Sequence, residues 1–511
     1  MSARRRDFLK TAFLAPLAAN LLVLGQRRDK PNLLFLWTDQ QRPDTMAVYG
    51  NRKIHAPNLN RLASESHVVE RQYVAQPVCT PSRSCVMTGL WPHTNGCVEN
   101  NLPLSEKIPC FPEILNDSDY RTGYFGKWHL GDEVFAQHGF EEWESIEDVY
   151  MGHYRPGRDP KRVSSYSYSL MGRGYRPDQE DGTFSRGFAS RLPIQHCKPR
   201  FLEAKACDFL RRHRNEPFTL YVNFLEPHPP YFGPLDDEHR TDDVDLPPNF
   251  SDPLEDDEPL RYRLMRERQH GRGNKGFDLE SEAGWRRLIT NYWGLVSQVD
   301  LSVGGILKTL DDLGLTDKTI VVYTSDHGDM MGSHGMVQKS NMYEEAARVP
   351  LLMRLPQGGR RHQKVRGRFS HIDLVPTLLD LMGRRDRADN FPGKSLVPFL
   401  KDERLQRRPV HIEWNPAVNS AADEFAGPQF AAEEIQKALR SYTRTVVSQD
   451  GWKLSLSTGD KHQLFDLNRD PWETHNLFYS GQHRDVVREL TKEIHRWQKE
   501  AKDWVEIDSA T

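Results

Sequence analysis

Short apolar runs alternate with longer amphipathic stretches along most of this chain, and four of those runs end abruptly in chemically active residues. Residues 32–37 (NLLFLW) lead into Thr38-Asp39-Gln40, and residues 120–125 into Gly126-Lys127-Trp128-His129-Leu130-Gly131. Residues 218–225 (FTLYVNFL) end in Glu226-Pro227-His228-Pro229-Pro230, and residues 319–324 (TIVVYT) in Ser325-Asp326-His327-Gly328-Asp329. Short apolar runs separated by helix-like segments predict an α/β fold with parallel strands. In such sheets functional groups collect at the carboxyl ends of the strands. Further on, residues 369–383 (FSHIDLVPTLLDLMG) read as one of the last helices of a large domain. Residues 443–447 and 452–457 read as strands, and 484–505 as a long amphipathic helix. The Asp-, Arg- and Pro-rich segment 234–290 predicts loops with a solvated face.

Composition narrows the class. The 511 residues carry 69 Lys+Arg against 72 Asp+Glu, a net charge of −3, so no strong field draws the chain to nucleic acid or an anionic membrane. No apolar run reaches the roughly 18–20 residues of a membrane span. The absence of repeats and the 10% aromatic content exclude collagen, solenoid and wholly disordered readings. Six cysteines (79, 85, 97, 110, 197, 207) are too few to staple this length. The first 25 residues are set apart: Arg5-Arg6-Asp7-Phe8-Leu9-Lys10 precedes a mildly apolar stretch, which predicts a twin-arginine export signal cleaved near Gly25. A bacterial periplasmic or secreted location follows as an expectation.

If the four strands share one sheet, Asp39, Gln40, Asp326 and His327 can meet around a hard cation, since carboxylate and amide oxygens with one imidazole suit Ca²⁺, Mg²⁺ or Mn²⁺. The same aspartates are equally read as helix N-caps or turn residues. Cys79-Thr80-Pro81-Ser82-Arg83 opens a helical segment, 81–90, with Pro in its first turn. Cys79 then sits beside a helix N-terminus, where free amides favour an anion. A buried, inert thiol is the alternative.

Cys-x-Pro-x-Arg, extended to CTPSRSCVMTGLWP, resembles the sulfatase family of the alkaline-phosphatase superfamily. The resemblance continues through PNLLFLWTDQQRPD, GKWHLG, EPHPPY, YTSDHGDMMGSHG, HIDLVPTLLDLMG and QLFDLNRDPWETHNL, in that family's order. It implies an alkaline-phosphatase-like large, mostly parallel sheet flanked by helices over residues 30–405. A charged linker at 401–408 leads into a small C-terminal α+β domain, 406–511, with an antiparallel sheet and a final helix. It also implies that a formylglycine-generating enzyme oxidises Cys79 to formylglycine. Asp39, Gln40, Asp326 and His327, with modified Cys79, match the ligands of one divalent cation. Arg83 matches the arginine that holds the formylglycine, and Lys127 and His129 match the lysine and histidine of the central site. His228 and Lys339 match residues that contact sulfate and leaving group. Gln40 departs from the many members that have a second Asp there, which leaves Ca²⁺ favoured with Mg²⁺ or Mn²⁺ as alternatives.

The implied reaction is hydrolysis of a sulfate monoester, with a hydrated aldehyde at position 79 attacking sulfur in line with the leaving alcohol. Lys127, Lys339, Arg83 and the cation balance charge on the transferring group, His228 is the candidate acid for the departing oxygen, alone or sharing the role with Lys339, and His129 is the base that frees the enzyme. His93, Asn100, Asn101 and His334 lie near the motifs and are candidates for the substrate pocket. The resemblance points to sulfated glycans. Choline sulfate or aryl sulfates are small-ester alternatives, and phosphonate monoesters or phosphodiesters are the runner-up class. A non-catalytic glycan-binding protein is the reading if Cys79 stays a thiol.

Overall fold

A computed structural model describes residues 30–271, 276–356, 362–400, 408–417 and 430–507. The expected export signal and nearly all of the 401–408 linker lie outside the described residues. Among the described residues, nine strands form the main sheet: β1 (Asn32–Asp39), β2 (His67–Tyr73), β3 (Arg121–Gly126), β4 (Glu142–Glu144), β5 (Phe218–Pro227), β6 (Thr319–Ser325), β7 (Arg348–Val349), β8 (Leu351–Arg354) and β9 (Gln363–Ser370). Their order is β4-β3-β5-β1-β6, then β8 with β7 on one edge of β2 and β9 on its other edge. The first five strands run parallel, so β3, β5, β1 and β6 open at the same end. These are the four apolar runs singled out in the sequence.

Their continuous apolar character has a direct cause, because both faces are covered. Leu34, Leu36, Leu220, Val222, Val321 and Tyr323 pack on one side with the helices Lys198–Arg212 and Glu282–Asp312. Leu33, Phe35, Trp37, Tyr221, Ile320 and Val322 pack on the other with Leu374–Leu381. The Ser281 hydroxyl starts the 31-residue helix Glu282–Asp312 by accepting from Gly284 N, an N-cap that satisfies one otherwise unpaired donor.

A second sheet of β10 (Val410–Trp414), β11 (Thr443–Val447), β12 (Trp452–Ser457) and β13 (Gln463–Asp466) is antiparallel throughout. The helix Arg484–Ala501 packs on it through Val487 and Ile494 against Val446, Leu454 and Leu456. Lys453 clamps this sheet to the main one, 2.8 Å from Glu473 Oε1 and 3.1 Å from Glu344 Oε1. The DPWETHNL segment therefore has a structural part: Glu473 Oε2 accepts from Glu344 N at 2.6 Å, and Asn476 Oδ1 accepts from Leu464 N at 3.0 Å.

Three expectations need correction. Phe369 and Ser370 are not helical but finish β9, paired with Gln72 and Tyr73; the helix that follows is Leu374–Leu381. Residues 234–290 are not all loop, since Leu260–Gly271 is a helix and the long helix begins at Glu282. The last helix stops at Ala501, where Lys502 turns left-handed (φ 57°) and Gln498 Nε2 donates to Val505 O of the returning chain. All six cysteines are free and buried. Among the described residues, no helix is long and apolar enough to cross a membrane.

Candidate active site

The parallel strands deliver their C-terminal residues to one place. Asp39 ends β1, Asp326 and His327 follow β6, Lys127 and His129 follow β3, and His228 follows β5. Cys79 comes from the far side, as the first residue of the helix Cys79–Thr88, all ten residues of which are buried. That helix begins two residues earlier than its Pro81 suggests, and Gly89 ends it in the left-handed region at φ 69°.

One ligand atom each from Asp39, Cys79, Asp326 and His327 lies within 4.8 Å of the others, in a fully buried group. His327 Nε2 stands 3.2 Å from Cys79 Sγ, 3.7 Å from Asp39 Oδ1 and 3.6 Å from Asp326 Oδ1. Its Nδ1 lies 2.9 Å from the Gly328 carbonyl, which can only accept, so Nδ1 bears the proton and Nε2 turns a lone pair to the cluster. Two carboxylates and this imidazole fit a divalent cation. Gln40 is tied to the group through its backbone, which donates to Asp326 Oδ1 at 3.0 Å, and its Oε1 accepts from Lys339 Nζ at 2.6 Å.

Cations surround the carboxylates. Arg83 Nη2 lies 2.8 Å from Asp39 Oδ2 and 2.7 Å from Asp326 Oδ2, while Nη1 donates to Lys127 O at 2.8 Å. Lys127 Nζ lies 2.6 Å from Asp39 Oδ2 and 4.0 Å from Cys79 Sγ. Burial opposes the Asp39 charge, but Lys127 and Arg83 hold its carboxyl well below the usual range. Burial and Asp39 push the Cys79 thiol up; Lys127, Lys339 and His327 outweigh them and lower it.

The two outer histidines are held neutral. Burial, then Lys127 and Arg83, keep His129 well below its ordinary value; burial, then Lys339, do the same to His228. His129 Nε2 sits 2.8 Å from Asn101 Oδ1, and its Nδ1 has no partner among the described residues. His228 Nδ1 lies 2.7 Å from the Pro229 carbonyl.

Of the four pocket candidates, two adjoin the site: Asn101 through His129, and Asn100, whose Oδ1 accepts from Thr80 N at 3.0 Å. The other two are corrected. His93 is bound to Glu413 (2.5 Å) and the Ala501 carbonyl (3.1 Å), joining the main domain to the C-terminal one. His334 is buried, bonded to Asp252 and stacked on Tyr343 at 3.9 Å. Sequence reasoning missed Tyr150, which stacks on His129 at 4.1 Å and lies 5.7 Å from Lys127 Nζ. It comes from an irregular loop with no periodic signal. Glu133, which accepts from the backbone N–H groups of Trp128 (2.8 Å) and His129 (2.6 Å), was also missed.

A family model described as Sulfatase matches residues 31–384. The chain belongs to the sulfatase family. A second model, described as N-sulphoglucosamine sulphohydrolase, C-terminal, matches residues 332–500 and so crosses the expected domain boundary. Curated relatives include a choline-sulfatase of Rhizobium meliloti, 31% identical with 88% of this chain and 82% of the relative covered. An N-acetylglucosamine-6-O-sulfatase of Bacteroides thetaiotaomicron is 27% identical, covering 96% and 91%. Among solved structures, the phosphonate monoester hydrolase of Agrobacterium radiobacter shares the fold at a TM-score of 0.73 and 19% identity, over 92% of this chain and 96% of that one. The sulfatase is thus a sulfuric ester hydrolase built on an alkaline-phosphatase-like sheet.

Proposed function

We propose that this sulfatase releases sulfate from sulfated saccharides, using formylglycine at position 79 and one divalent cation, Ca²⁺ in the first instance, held by Asp39, Gln40, Asp326 and His327. The observation that carries the reading is the buried convergence of Asp39, Cys79, Asp326 and His327 within 4.8 Å. Formylglycine, once hydrated, supplies a hydroxyl nucleophile that a thiol cannot, and the cation supplies the charge that acidifies it.

The chain's own groups do the rest. Lys127 and Arg83 converge on Asp39 with no solvent to screen them, so positive charge is already in place where the sulfuryl oxygens gain negative charge. His129 is suited to be the base: Asn101 Oδ1 takes the Nε2 proton, which leaves Nδ1 an unpartnered lone pair. Burial and Lys339 hold His228 well below its ordinary value, so the role of protonating the leaving oxygen, implied by the resemblance, is shared between His228 and Lys339.

The substrate class is supported by the relatives, among them the N-acetylglucosamine-6-O-sulfatase and an ulvan-active sulfatase of Formosa agariphila at 26% identity. Arg5-Arg6-Asp7-Phe8-Leu9-Lys10 supports export of the folded protein to the periplasm or beyond, after a formylglycine-generating enzyme has acted in the cytosol. The test is a turnover panel of sulfated saccharides, small sulfate esters, phosphonate monoesters and phosphodiesters, with Ca²⁺ present and chelated. Sulfate release from saccharides, lost on chelation, is the expected result. Faster turnover of the phosphorus esters would replace this reading with the phosphonate monoester hydrolase one.

A further inference from the structure

Gln40 stands where many sulfatases have an aspartate, and the structure holds a buried carboxylate beside it. Gln40 Nε2 lies 2.5 Å from Asp329 Oδ2 and 3.0 Å from the Tyr231 hydroxyl. That hydroxyl in turn donates to Asp329 Oδ2 at 2.7 Å. On the other side of the amide, Gln40 Oε1 accepts from Lys339 Nζ at 2.6 Å. Gln40, Asp329, Tyr231 and Lys339 are 0%, 0%, 1% and 8% exposed, so these groups depend chiefly on one another for hydrogen bonds.

Only one orientation of the amide meets these demands. An ammonium only donates and an ionised carboxylate only accepts. The flipped amide would set its oxygen against Asp329 and its NH₂ against Lys339, breaking two buried hydrogen bonds at once. The oxygen therefore faces Lys339, the ammonium whose charge acts on Cys79, His228 and His327. Asp329 does more than choose the flip. Its Oδ1 accepts from Met331 N and from Gln338 N, both at 2.8 Å, and Gln338 immediately precedes Lys339. A single carboxylate thus sets the Gln40 amide and the segment that delivers Lys339.

We infer that Asp329, assisted by Tyr231, is a positioning residue for the metal site. It turns Gln40 Oε1 toward Lys339 Nζ and carries, in contact with position 40, the negative charge that position 40 lacks. The inference rests on the metal-site reading above. An aspartate at position 40 would set two carboxylates side by side in a buried space. Asparagine at 329 would relieve this by removing one of the two charges, while its oxygen keeps the Met331 and Gln338 contacts.

The experiment is a double-mutant cycle of Gln40→Asp and Asp329→Asn on the full mature chain. Calorimetric titration with Ca²⁺, kcat and KM for sulfate release, and thermal unfolding are read for each protein. Each single substitution is expected to weaken Ca²⁺ binding about 10–100-fold. The double variant should bind at least about tenfold tighter than Gln40→Asp alone, and recover kcat rather than KM. Additive losses in Ca²⁺ affinity overturn the inference, whatever the unfolding temperatures. Calcium binding that follows the cycle in a protein that cleaves no sulfate ester overturns the activity reading and leaves this one standing. No calcium binding by the unsubstituted chain overturns both.

Discussion

The Arg83 guanidinium donates to Asp39 Oδ2 at 2.8 Å, and neither side chain has any solvent exposure. One side chain from the Cys79–Thr88 helix thereby holds the end of β1, while its other nitrogen holds the Lys127 carbonyl beyond β3. Lysine cannot reproduce that fork, because an ammonium is a point charge. Arg83→Lys is expected to lower kcat/KM by about 10²–10³. It should also cost up to about 3–5 kcal/mol of stability, as when one partner of a buried ion pair is removed. Sulfate-release kinetics and urea unfolding check the two effects separately.

Cys79 is buried at the head of its helix, and its side chain is small, so truncation leaves little cavity. Cys79→Ala should keep the unfolding free energy within about 1 kcal/mol of the parent. Activity should fall by about 10⁴-fold or more, as when a nucleophile is deleted. The tryptic peptide bearing residue 79 should carry an aldehyde mass in the active protein. Full turnover in the alanine variant would remove the formylglycine mechanism.

Behind the catalytic helix, the Ser82 hydroxyl donates to the Asp326 carbonyl, so it can only accept from His371 Nδ1, 3.3 Å away. His371 Nε2 has no partner among the described residues. Burial, with His327 adding to it, brings this imidazole down to about 3 from an unfolded value of 6.5. The unfolded chain therefore takes up a proton below pH 6.5 that the folded chain refuses until about pH 3. The stability this group contributes is complete above pH 6.5 and is lost as the pH falls through that window. Between about pH 6.5 and about pH 4.5 the loss should be about 2–3 kcal/mol. His371→Gln should show a correspondingly shallower acid dependence in urea titrations, and identical slopes in the two proteins would contradict the assignment.

Lys453 lies between two glutamates, one from each sheet's surroundings, and is 1% exposed. Lys453→Met leaves the partly buried Glu344 and the buried Glu473 without their cation, which is expected to cost up to about 3–5 kcal/mol. Against its burial, Lys453 holds the Glu344 carboxyl below its ordinary value, so adding Glu344→Gln removes the orphaned charge and should restore part of that loss. Thermal unfolding of the single and double variants measures both.

Much of the catalytic half was legible before any folding. Strands covered on both faces are largely apolar, so β1, β5 and β6 stand out as nearly continuous runs and β3 as a shorter one, and parallel pairing carries their polar C-termini to one end. Cys79, Arg83 and the Asp326-His327 pair were recognisable because each lies in a short, local pattern. Contacts between distant segments were not. Nothing near Phe369 announces that it pairs with Gln72, so an apolar stretch with helical spacing was read through the end of β9. His93 looked like a pocket residue until Glu413, 320 positions away, took its Nδ1. Asp329 sat in plain view inside a motif, yet its partners Gln40 and Tyr231 lie 289 and 98 positions off. Local spacing decides which face of a strand or helix a side chain occupies. Hydrogen-bond partnership in a buried site depends on separations of a few tenths of an ångström between segments, and those arise only when the sheets and helices close on one another.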